Sequence, residues 1–335
     1  IEKFDLSPLH SRLGLVTSKF KISGIRRNSG GFFFDLDVDE LKLDKKVINN
    51  ILLNGEFKDE EFTAKLKIND KFINASSDMA YSWAEEQHKY QVDLNLDKLN
   101  LHHLDFQFGG GKAIYSGDVN LFLVGNTLDE IQGNLLFKNI QFENQYQVDS
   151  FNDFILETSF SNKKRVIRTI NSDILNINIE GDFQLSKLGS LFSNAIAEVF
   201  PFMQNEKIIK SQELVYDINL ETSHLNAVLP YLVFDKKAVF RGVLSTQNNL
   251  SKMTLKIPKI SFKTFSAENI ALQFDNQNLL YNTLISVGKI HSNSYKIRDF
   301  YSVGVETQNA INFSTEFFGG NNKTSSISIS NNFIY

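Results

Sequence analysis

The chain has 335 residues and no cysteine, which excludes disulfides, cysteine-based metal sites and thiol nucleophiles. Its formal net charge is −4 at pH 7, so it lacks the basic character that nucleic acid or anionic lipid would attract. Hydrophobic residues make up 42% of the chain and charged residues 22%, which excludes a disordered protein, and no apolar run reaches the roughly 18 residues of a transmembrane helix.

Apolar and polar residues alternate in short runs along nearly the whole chain. The pattern is clear in residues 32–39, 92–97 and 175–180. A period of two residues is typical of a β-strand with one apolar and one polar face. The composition agrees, because the 30 phenylalanines favour strands and there are only 4 prolines, which cannot donate to a strand ladder.

In chain order, short turns separate the predicted strands, with signals at Asn54-Gly55, Gly125-Asn126 and Gly319-Gly320. Strands joined by short turns pair antiparallel, and a sheet of many strands twists and curls. The sequence therefore predicts a mainly β protein, an elongated, curled antiparallel β-sheet with a few short helices. The predicted strands are 19–24, 31–43, 51–57, 62–69, 71–83, 89–97, 112–124, 132–142, 145–160, 164–170, 173–184, 213–221, 237–247, 251–262, 265–275, 278–291, 294–307, 310–318 and 325–333.

One segment changes to a helical period. Its apolar residues recur at three- and four-residue intervals, which predicts an amphipathic helix inserted at 186–203, with Ser186 as N-cap and Pro201 near its end. The helix either plugs the end of a β core or lies in or across an apolar groove. Its apolar residues are Leu188, Leu191, Phe192, Ala195, Ile196, Val199 and Phe200.

An internal repeat organises the second part of the chain. Four segments recur in the same order: 92–96 as 216–220, 112–117 as 237–242, Leu128 and Ile131 as Leu250 and Met253, and 135–142 as 255–262. Repeats of this kind predict a structure that grows in one direction by stacking on itself. We therefore expect residues 1–335 to form one continuous β-groove, with repeat units of approximately 92–215 and 216–335. Because no obvious cap opens or closes the chain, we expect it to be a fragment of a longer protein.

The apolar faces of the predicted strands are the candidate binding surface. A curled sheet with its apolar face inside forms a long trough, whose lining then needs a ligand. The alternative is a β-sandwich, in which two such faces bury each other. The alternation predicts this lining: Leu94, Leu96, Leu121, Leu123, Ile177, Ile179, Ile218, Leu220, Leu255, Ile257, Leu272 and Phe274.

The sequence contains no recognisable catalytic or metal-binding motif. His102 and His103 are adjacent, so they face opposite ways on a strand, and no third ligand accompanies them apart from Asp105. The run Gly109–Lys112 lacks the spacing of a phosphate-binding loop and leads into a predicted strand, which indicates a hairpin turn. We therefore expect no enzyme activity, no metal and no cofactor.

Two stretches resemble the TamB translocation-and-assembly-module proteins of the AsmA-like group, and the Asn- and Lys-rich composition looks like that of their Bacteroidota branch. They are Gln132–Phe142 and Arg168–Phe183, the latter with the helix that begins at Leu188. The resemblance implies a β-taco with a hydrophobic groove and a periplasmic body. It also implies an inner-membrane anchor in a part missing from this chain, and an outer-membrane partner barrel of the Omp85 class (TamA-like).

The function that the resemblance implies is a periplasmic bridge. Its groove would carry phospholipids, held by their acyl chains, between the inner and outer membranes and support outer-membrane biogenesis. Two alternatives remain open from the residues: an outer-membrane β-barrel, which the alternation and the terminal Phe333–Tyr335 favour, and a structural or chaperone β-solenoid with a filled core. No nucleic-acid partner is expected.

Overall fold

A computed structural model describes residues 3–5, 15–26, 30–43, 46–100, 113–144, 147–197, 212–221, 232–234, 237–262, 264–292, 295–307, 310–320 and 325–334. These residues form 22 strands in antiparallel pairing and one short α-helix, which confirms the predicted mainly β, antiparallel fold. The chain divides into two compact units, Ile1–Leu156 and Glu157–Tyr335. The predicted repeat units remain a prediction.

The first unit is an antiparallel meander, in which each strand pairs with the next from β1 to β10. Its strands are β1 Lys3–Asp5, β2 Leu15–Arg26, β3 Phe32–Leu43, β4 Lys46–Lys58, β5 Glu61–Asn69, β6 Ile73–Ser82, β7 Lys89–Asn100, β8 Ile114–Val124, β9 Gln132–Glu143 and β10 Val148–Ser150. The boundary between the units lies within β11, Phe154–Ser161.

The second unit pairs its strands in the order β12, β13, β14, β16, and then consecutively to β22, with β15 beside β17. Its elements are β12 Lys164–Ile170, β13 Leu175–Asp182, a 3-10 turn Leu185–Lys187, α1 Leu188–Ala197, β14 Glu213–Leu220, β15 Leu232–Phe234, β16 Ala238–Ser245, β17 Leu250–Phe262, β18 Phe265–Asp275, β19 Thr283–Ser292, β20 Tyr295–Thr307, β21 Ala310–Gly319 and β22 Ser325–Ile334.

The turn predicted at Asn54-Gly55 is wrong. Both residues lie inside β4, and the chain turns instead at Asp59 and Glu60, whose φ angles are 49° and 61°. Gly55 has a packing role, because a Cβ atom there would lie 2.3 Å from the ring of Phe34 on the neighbouring strand. A glycine within a strand can therefore mark a close approach rather than a reversal of the chain.

Other predicted boundaries also differ from the structure. The single strand predicted over 145–160 is two strands, β10 and β11, because Phe151 turns inward and becomes buried while its backbone N–H donates to the carbonyl of Ile140. Ser186, predicted as the N-cap of the helix, lies inside the 3-10 turn that precedes α1. The end of the predicted helix, with Val199, Phe200 and Pro201, lies outside the described residues.

One line of residues interrupts the ladders of β17 to β20. Pro258, Asn269, Gly288 and Asp299 lie at successive positions where the pairing of neighbouring strands skips a residue. Pro258 has no N–H to donate, and Asn269 and Asp299 adopt left-handed backbone angles of 53° and 51°. These residue types fit an interruption, because each is unfavourable in a regular strand.

Candidate functional site

The strands β2 to β9 of the first unit carry a continuous apolar face. Antiparallel partners lie on the same side of a sheet, so the register fixes which side chains are neighbours. Three adjacent rows are apolar almost throughout, and we call them together the apolar face. The rows are Ile22, Leu36, Leu53, Leu66, Ser77, Leu94, Val119 and Phe137; Gly24, Phe34, Gly55, Ala64, Met79, Val92, Leu121 and Leu135; and Phe32, Phe57, Phe62, Tyr81, Tyr90 and Leu123.

The other side of the same strands, here called the polar face, is mainly polar and hydrogen-bonded from strand to strand, although exposed apolar side chains such as Leu52 and Phe122 also lie on it. The Asn54 amide donates to Asp35 over 2.5 Å, and the Asn120 amide donates to Asp93 over 2.8 Å. The Lys65 ammonium lies 3.0 Å from the carboxylate of Asp78. Because apolar rows are continuous only on the opposite face of the described strands, that face is the candidate surface for an apolar ligand in this unit.

Two side-chain amides hold Asp118 on this polar face. Its carboxylate accepts hydrogen bonds from the amides of Asn139, over 2.8 Å, and of Asn95, over 2.7 Å. These two bonds, with a smaller contribution from the charge of Lys138, lower the pKa of Asp118. The negative charge of the polar face is therefore stabilised by cross-strand partners.

Two open cavities of about 570 and 630 Å³ lie mostly along the polar face. They share Asn54, Lys65, Asp78 and Asp93 among their lining residues. The sequence analysis did not predict them, because alternation assigns residues to faces but gives no curvature. Charged side chains of both signs line the cavities and have partners on the neighbouring strands. The cavities therefore resemble an ordinary solvent-exposed sheet face.

Of the predicted lining in the first unit, Leu94, Leu121 and Leu123 lie in the apolar face, and Leu96 lies beside Leu94 on the same side of the sheet. Leu94 and Leu96 are half-buried and pack with a core of Ile48, Ile73 and Ala75. Leu121 pairs with Val92 and Leu135, and Leu123 pairs with Tyr90. The alternation therefore assigned these four side chains to one common face, and their partial exposure leaves apolar area for a ligand.

The other eight predicted residues share one face of the sheet in the second unit. Strand partners across β13 to β19 form a row of Ile177, Ile218, Phe240, Leu255, Leu272 and Ile285, and a parallel row contains Ile179, Tyr216, Met253 and Phe274. Leu220 and Ile257 lie two residues along their strands from Ile218 and Leu255, on the same face.

The helix α1 packs onto these apolar rows of the second unit. Leu191 and Ala195 are 3% and 4% exposed within a core that contains Ile179, Leu214 and Phe274. Partly buried hydrophobics packed against this core include Leu188, Phe192, Ile177 and Ile218. The Phe192 ring centroid lies 5.1 Å from that of Tyr216 and 5.8 Å from that of Phe240. Both predicted positions of the helix, plugging the end of a β core or lying in or across an apolar groove, place its apolar side against strands, and the choice between them stays a prediction.

The residues that the sequence analysis considered as metal or phosphate sites lie outside the described residues. His102, His103, Asp105 and the glycine run Gly109–Lys112 all lie in the undescribed stretch 101–112. Within the described ranges, no group of three or more metal-ligating side chains comes together. Over those same ranges, no helix has the length and apolar character that crossing a membrane requires.

Asp70, which the sequence analysis did not single out, ties together the turn between β5 and β6. One carboxylate oxygen accepts from the backbone N–H and the side-chain amide of Asn49, both over 3.0 Å, and the other accepts from the N–H of Phe72 over 2.8 Å. Burial alone would raise the pKa of Asp70, but hydrogen bonds from Phe72, Asn49 and Lys71 lower it overall from 3.8.

We expect Asp70→Asn to lower the free energy of unfolding by about 1–3 kcal/mol at pH 7, because an amide cannot accept all three bonds. A lowered folded-state pKa gives stability that is complete above the unfolded-state value and is lost as the pH falls through the folded-state value. The difference in the free energy of unfolding between the unaltered chain and Asp70→Asn should therefore shrink below about pH 4. Urea unfolding at pH 7 and pH 3 measures it, with the exposed Asp78→Asn as control. A difference that stays constant with pH would contradict this role.

Comparison of the chain with protein-family models, with curated proteins and with solved structures finds no match in any of the three. The candidate function therefore depends on the geometry of the faces and on the resemblance described above.

Proposed function

We propose that this chain is a lipid-carrying segment, whose apolar sheet face binds the acyl chains of phospholipids. The observation that carries the proposal is the apolar face of the first unit. Two neighbouring rows of mostly apolar residues cross β2 to β9 and a third crosses β3 to β8, and several of these side chains are only half-buried. Many side chains on the reverse of the same strands are polar and bonded to a neighbour across the sheet.

The energetics suit an acyl chain. Moving a CH₂ group out of water contributes about 0.8 kcal/mol, so a chain of roughly 16 carbons gains on the order of 10 kcal/mol before ordering costs. Strands repeat every 4.8 Å or so, and each contributes a similar apolar residue to a row. A nearly uniform lining gives similar binding energy at each step, which favours sliding along the face over trapping at one point.

The wider setting follows from the resemblance to the TamB proteins. In that setting the segment is periplasmic and connects to the inner membrane through another part of the protein. It carries phospholipids toward the outer membrane, supports outer-membrane biogenesis and meets an Omp85-class (TamA-like) barrel. A chaperone for unfolded barrel strands needs an apolar face of the same kind, so lipid content is the property that separates the two roles.

A structural role is the second candidate, and the packing of α1 favours it. In the second unit, a helix occupies part of the face that the alternation assigned to a ligand, and Leu214 and Tyr216 beneath it are fully buried. A filled core of this kind needs no lipid. The two candidates therefore make different predictions for the two units.

The test is site-specific photo-crosslinking in a Gram-negative periplasm, followed by mass spectrometry of the purified protein. A photoreactive residue at Leu94 should capture phospholipid, because this side chain is half-buried on the apolar face. The same residue at Asn95, exposed on the polar face, is the matched control. At Ile177, which packs against the core under α1, we expect little or no adduct. Protein that is free of lipid at Leu94 would reject the conduit and favour the filled scaffold.

A further inference from the structure

One end of the apolar face carries a cluster of aromatic rings around an open cavity. Phe57, Phe62, Tyr81, Trp83 and His88 line this cavity of about 460 Å³, and we call it the aromatic pocket. Its volume lies within the range of small-molecule sites. Phe57 and Phe62 form one wall, with ring centroids 4.6 Å apart, and Phe57 remains 44% exposed.

Tyr81 is the centre of the second wall. Its ring centroid lies 5.2 Å from that of Trp83 and 5.6 Å from that of His88, which it meets edge-on at 83°. The Tyr81 hydroxyl lies 3.0 Å from Nδ1 of His88, within hydrogen-bonding distance. Tyr81 pairs directly with Phe62 across β5 and β6, so the register brings the two walls together.

The loop that carries Trp83 and His88 is held in place from both sides. The backbone N–H of Trp83 donates to the carbonyl of Glu60 over 3.0 Å. The N–H of His88 donates to the side chain of Asn126, whose amide in turn donates to the carbonyl of Glu86, both over 3.0 Å. The N–H of Gly125 donates to the carbonyl of His88 over 2.9 Å. The pocket is thus formed before any ligand arrives, which reduces the ordering cost of binding.

The charges around the pocket are mainly negative. The two chain segments that adjoin it, 58–61 and 85–89, contain the carboxylates of Asp59, Glu60, Glu85 and Glu86. Glu61, Lys58 and Lys89 alternate with the ring-bearing residues and lie on the opposite side of the sheet. Lys58 lies 3.7 Å from Asp59, and Lys89 is paired with Glu85. The remaining excess of negative charge favours the approach of a cation and disfavours an anion.

We propose that the aromatic pocket binds an organic ammonium group, such as the trimethylammonium of choline. The faces of Trp, Tyr and Phe rings carry negative charge density that attracts a cation, and grouped aromatic rings are a known way to bind quaternary ammonium. A metal ion would find no set of ligands here, and an apolar ligand would gain nothing from the acidic segments. The combination of several rings with an acidic surround therefore selects a soft, weakly hydrated cation.

The position of the pocket suggests where the ammonium comes from. Phe57, Phe62 and Tyr81 belong to the last row of the apolar face, directly beside the row that contains Ala64 and Met79. A phospholipid with its acyl chains along the face would bring a cationic headgroup to this end. This assignment to a lipid headgroup rests on the proposed function, whereas binding of the ammonium group depends on the pocket alone.

Trp83 is the single tryptophan of the chain, so its fluorescence reports directly on the pocket. We would titrate the full chain with tetramethylammonium chloride and with choline, and in parallel with 3,3-dimethyl-1-butanol, the uncharged isostere of choline. We expect a saturable change in Trp83 emission with both cations and at least tenfold weaker binding of the alcohol. An equal response to cation and alcohol, or no response to the cations, would overturn the proposal.

Two substitutions separate the ring faces from simple apolar volume. Phe57→Leu should weaken choline binding roughly three- to thirtyfold, because it keeps an apolar side chain but removes a ring face. Phe122→Leu, at a similarly exposed phenylalanine on the polar face, should leave binding unchanged. If Phe57→Leu binds choline as tightly as the unaltered chain, the ring faces do not form the site.

The lipid arm uses vesicles of phosphatidylcholine and of phosphatidylglycerol. Stronger binding to phosphatidylcholine, lost in Phe57→Leu, supports the headgroup assignment. Choline binding without any preference between the vesicles overturns that assignment and leaves the ammonium site intact. The crosslinking result at Leu94 is independent of both, so failure of the lipid conduit and failure of the ammonium site are distinguishable.

Discussion

Leu94→Glu should reduce the phospholipid recovered with the protein at least tenfold. Leu94 lies in an outer row of the apolar face, between Ser77 and Val119 on the neighbouring strands. A carboxylate there would have to enter the acyl-chain layer or displace it, and an unpaired charge in apolar surroundings costs several kcal/mol, well above the roughly 1.4 kcal/mol of a tenfold change. Lipid extraction and mass spectrometry of protein purified from a periplasm measure the loss.

Asn95, the neighbouring residue on the polar face, is unsuitable as a control for this charge. The amide of Asn95 donates to Asp118 over 2.7 Å, so a glutamate at 95 would both break that bond and repel the aspartate. Ser76 lies opposite Asn95, is exposed, and has Lys67 as its other strand partner. Ser76→Glu should therefore keep its lipid, and Leu94→Gln serves where Leu94→Glu fails to fold. Equal lipid loss from Ser76→Glu and Leu94→Glu would remove the support for an apolar conduit.

Face assignment is the part of this fold that the sequence determines most directly. A strand has a period of two, so alternation alone places Leu94 and Leu96 on one side and Asn95 on the other. Antiparallel pairing then joins like faces, which is why Ile177, Ile218, Leu255 and Leu272 share one row although they are far apart in the chain. Local pattern was sufficient here because each strand obeys the same rule.

What covers a face depends on tertiary packing, which alternation does not encode. The helical period from Leu188 predicted α1, but the same pattern fitted a helix on a core and a helix in a groove. The aromatic pocket was missed for a related reason. Phe57 and Phe62 come from one hairpin, Tyr81 from β6, and Trp83 and His88 from the loop that follows it, so only the register brings the two walls together.

Backbone irregularities gave weak signals that the sequence analysis did not use. Asn139 adopts a left-handed φ of 53° within β9, where the register with β8 shifts between Ser116 and Asp118. Asparagine tolerates this conformation better than most residues, so an asparagine inside an apolar alternation was the available sign. At Gly55 the error was the reverse, since a turn was predicted where the strand continues. A glycine that makes room for an aromatic ring has the same sequence signature as a glycine in a turn.

Leu214→Ala should cost the second unit about 2–5 kcal/mol of its free energy of unfolding, measured by urea denaturation. Leu214 is 0% exposed in β14, in the core that α1 covers, so the truncation leaves a cavity that the packed neighbours can fill only in part. Val215 is the next residue on the same strand, faces the other way and is 51% exposed. Val215→Ala should therefore cost less than about 1 kcal/mol, the scale of strand propensity.

Leu191→Ala extends this argument to the helix and discriminates between the two roles of the unit. Leu191 is 3% exposed on α1, so a helix that belongs permanently to the core should lose about as much stability on truncation as Leu214 does. A helix that lifts from the face to admit a lipid would lose little, because its contacts would contribute little to the unfolding transition. Equal losses at 191 and 214 would restrict lipid binding to surfaces that α1 leaves open, whereas a small loss at 191 alone would make α1 a movable cover.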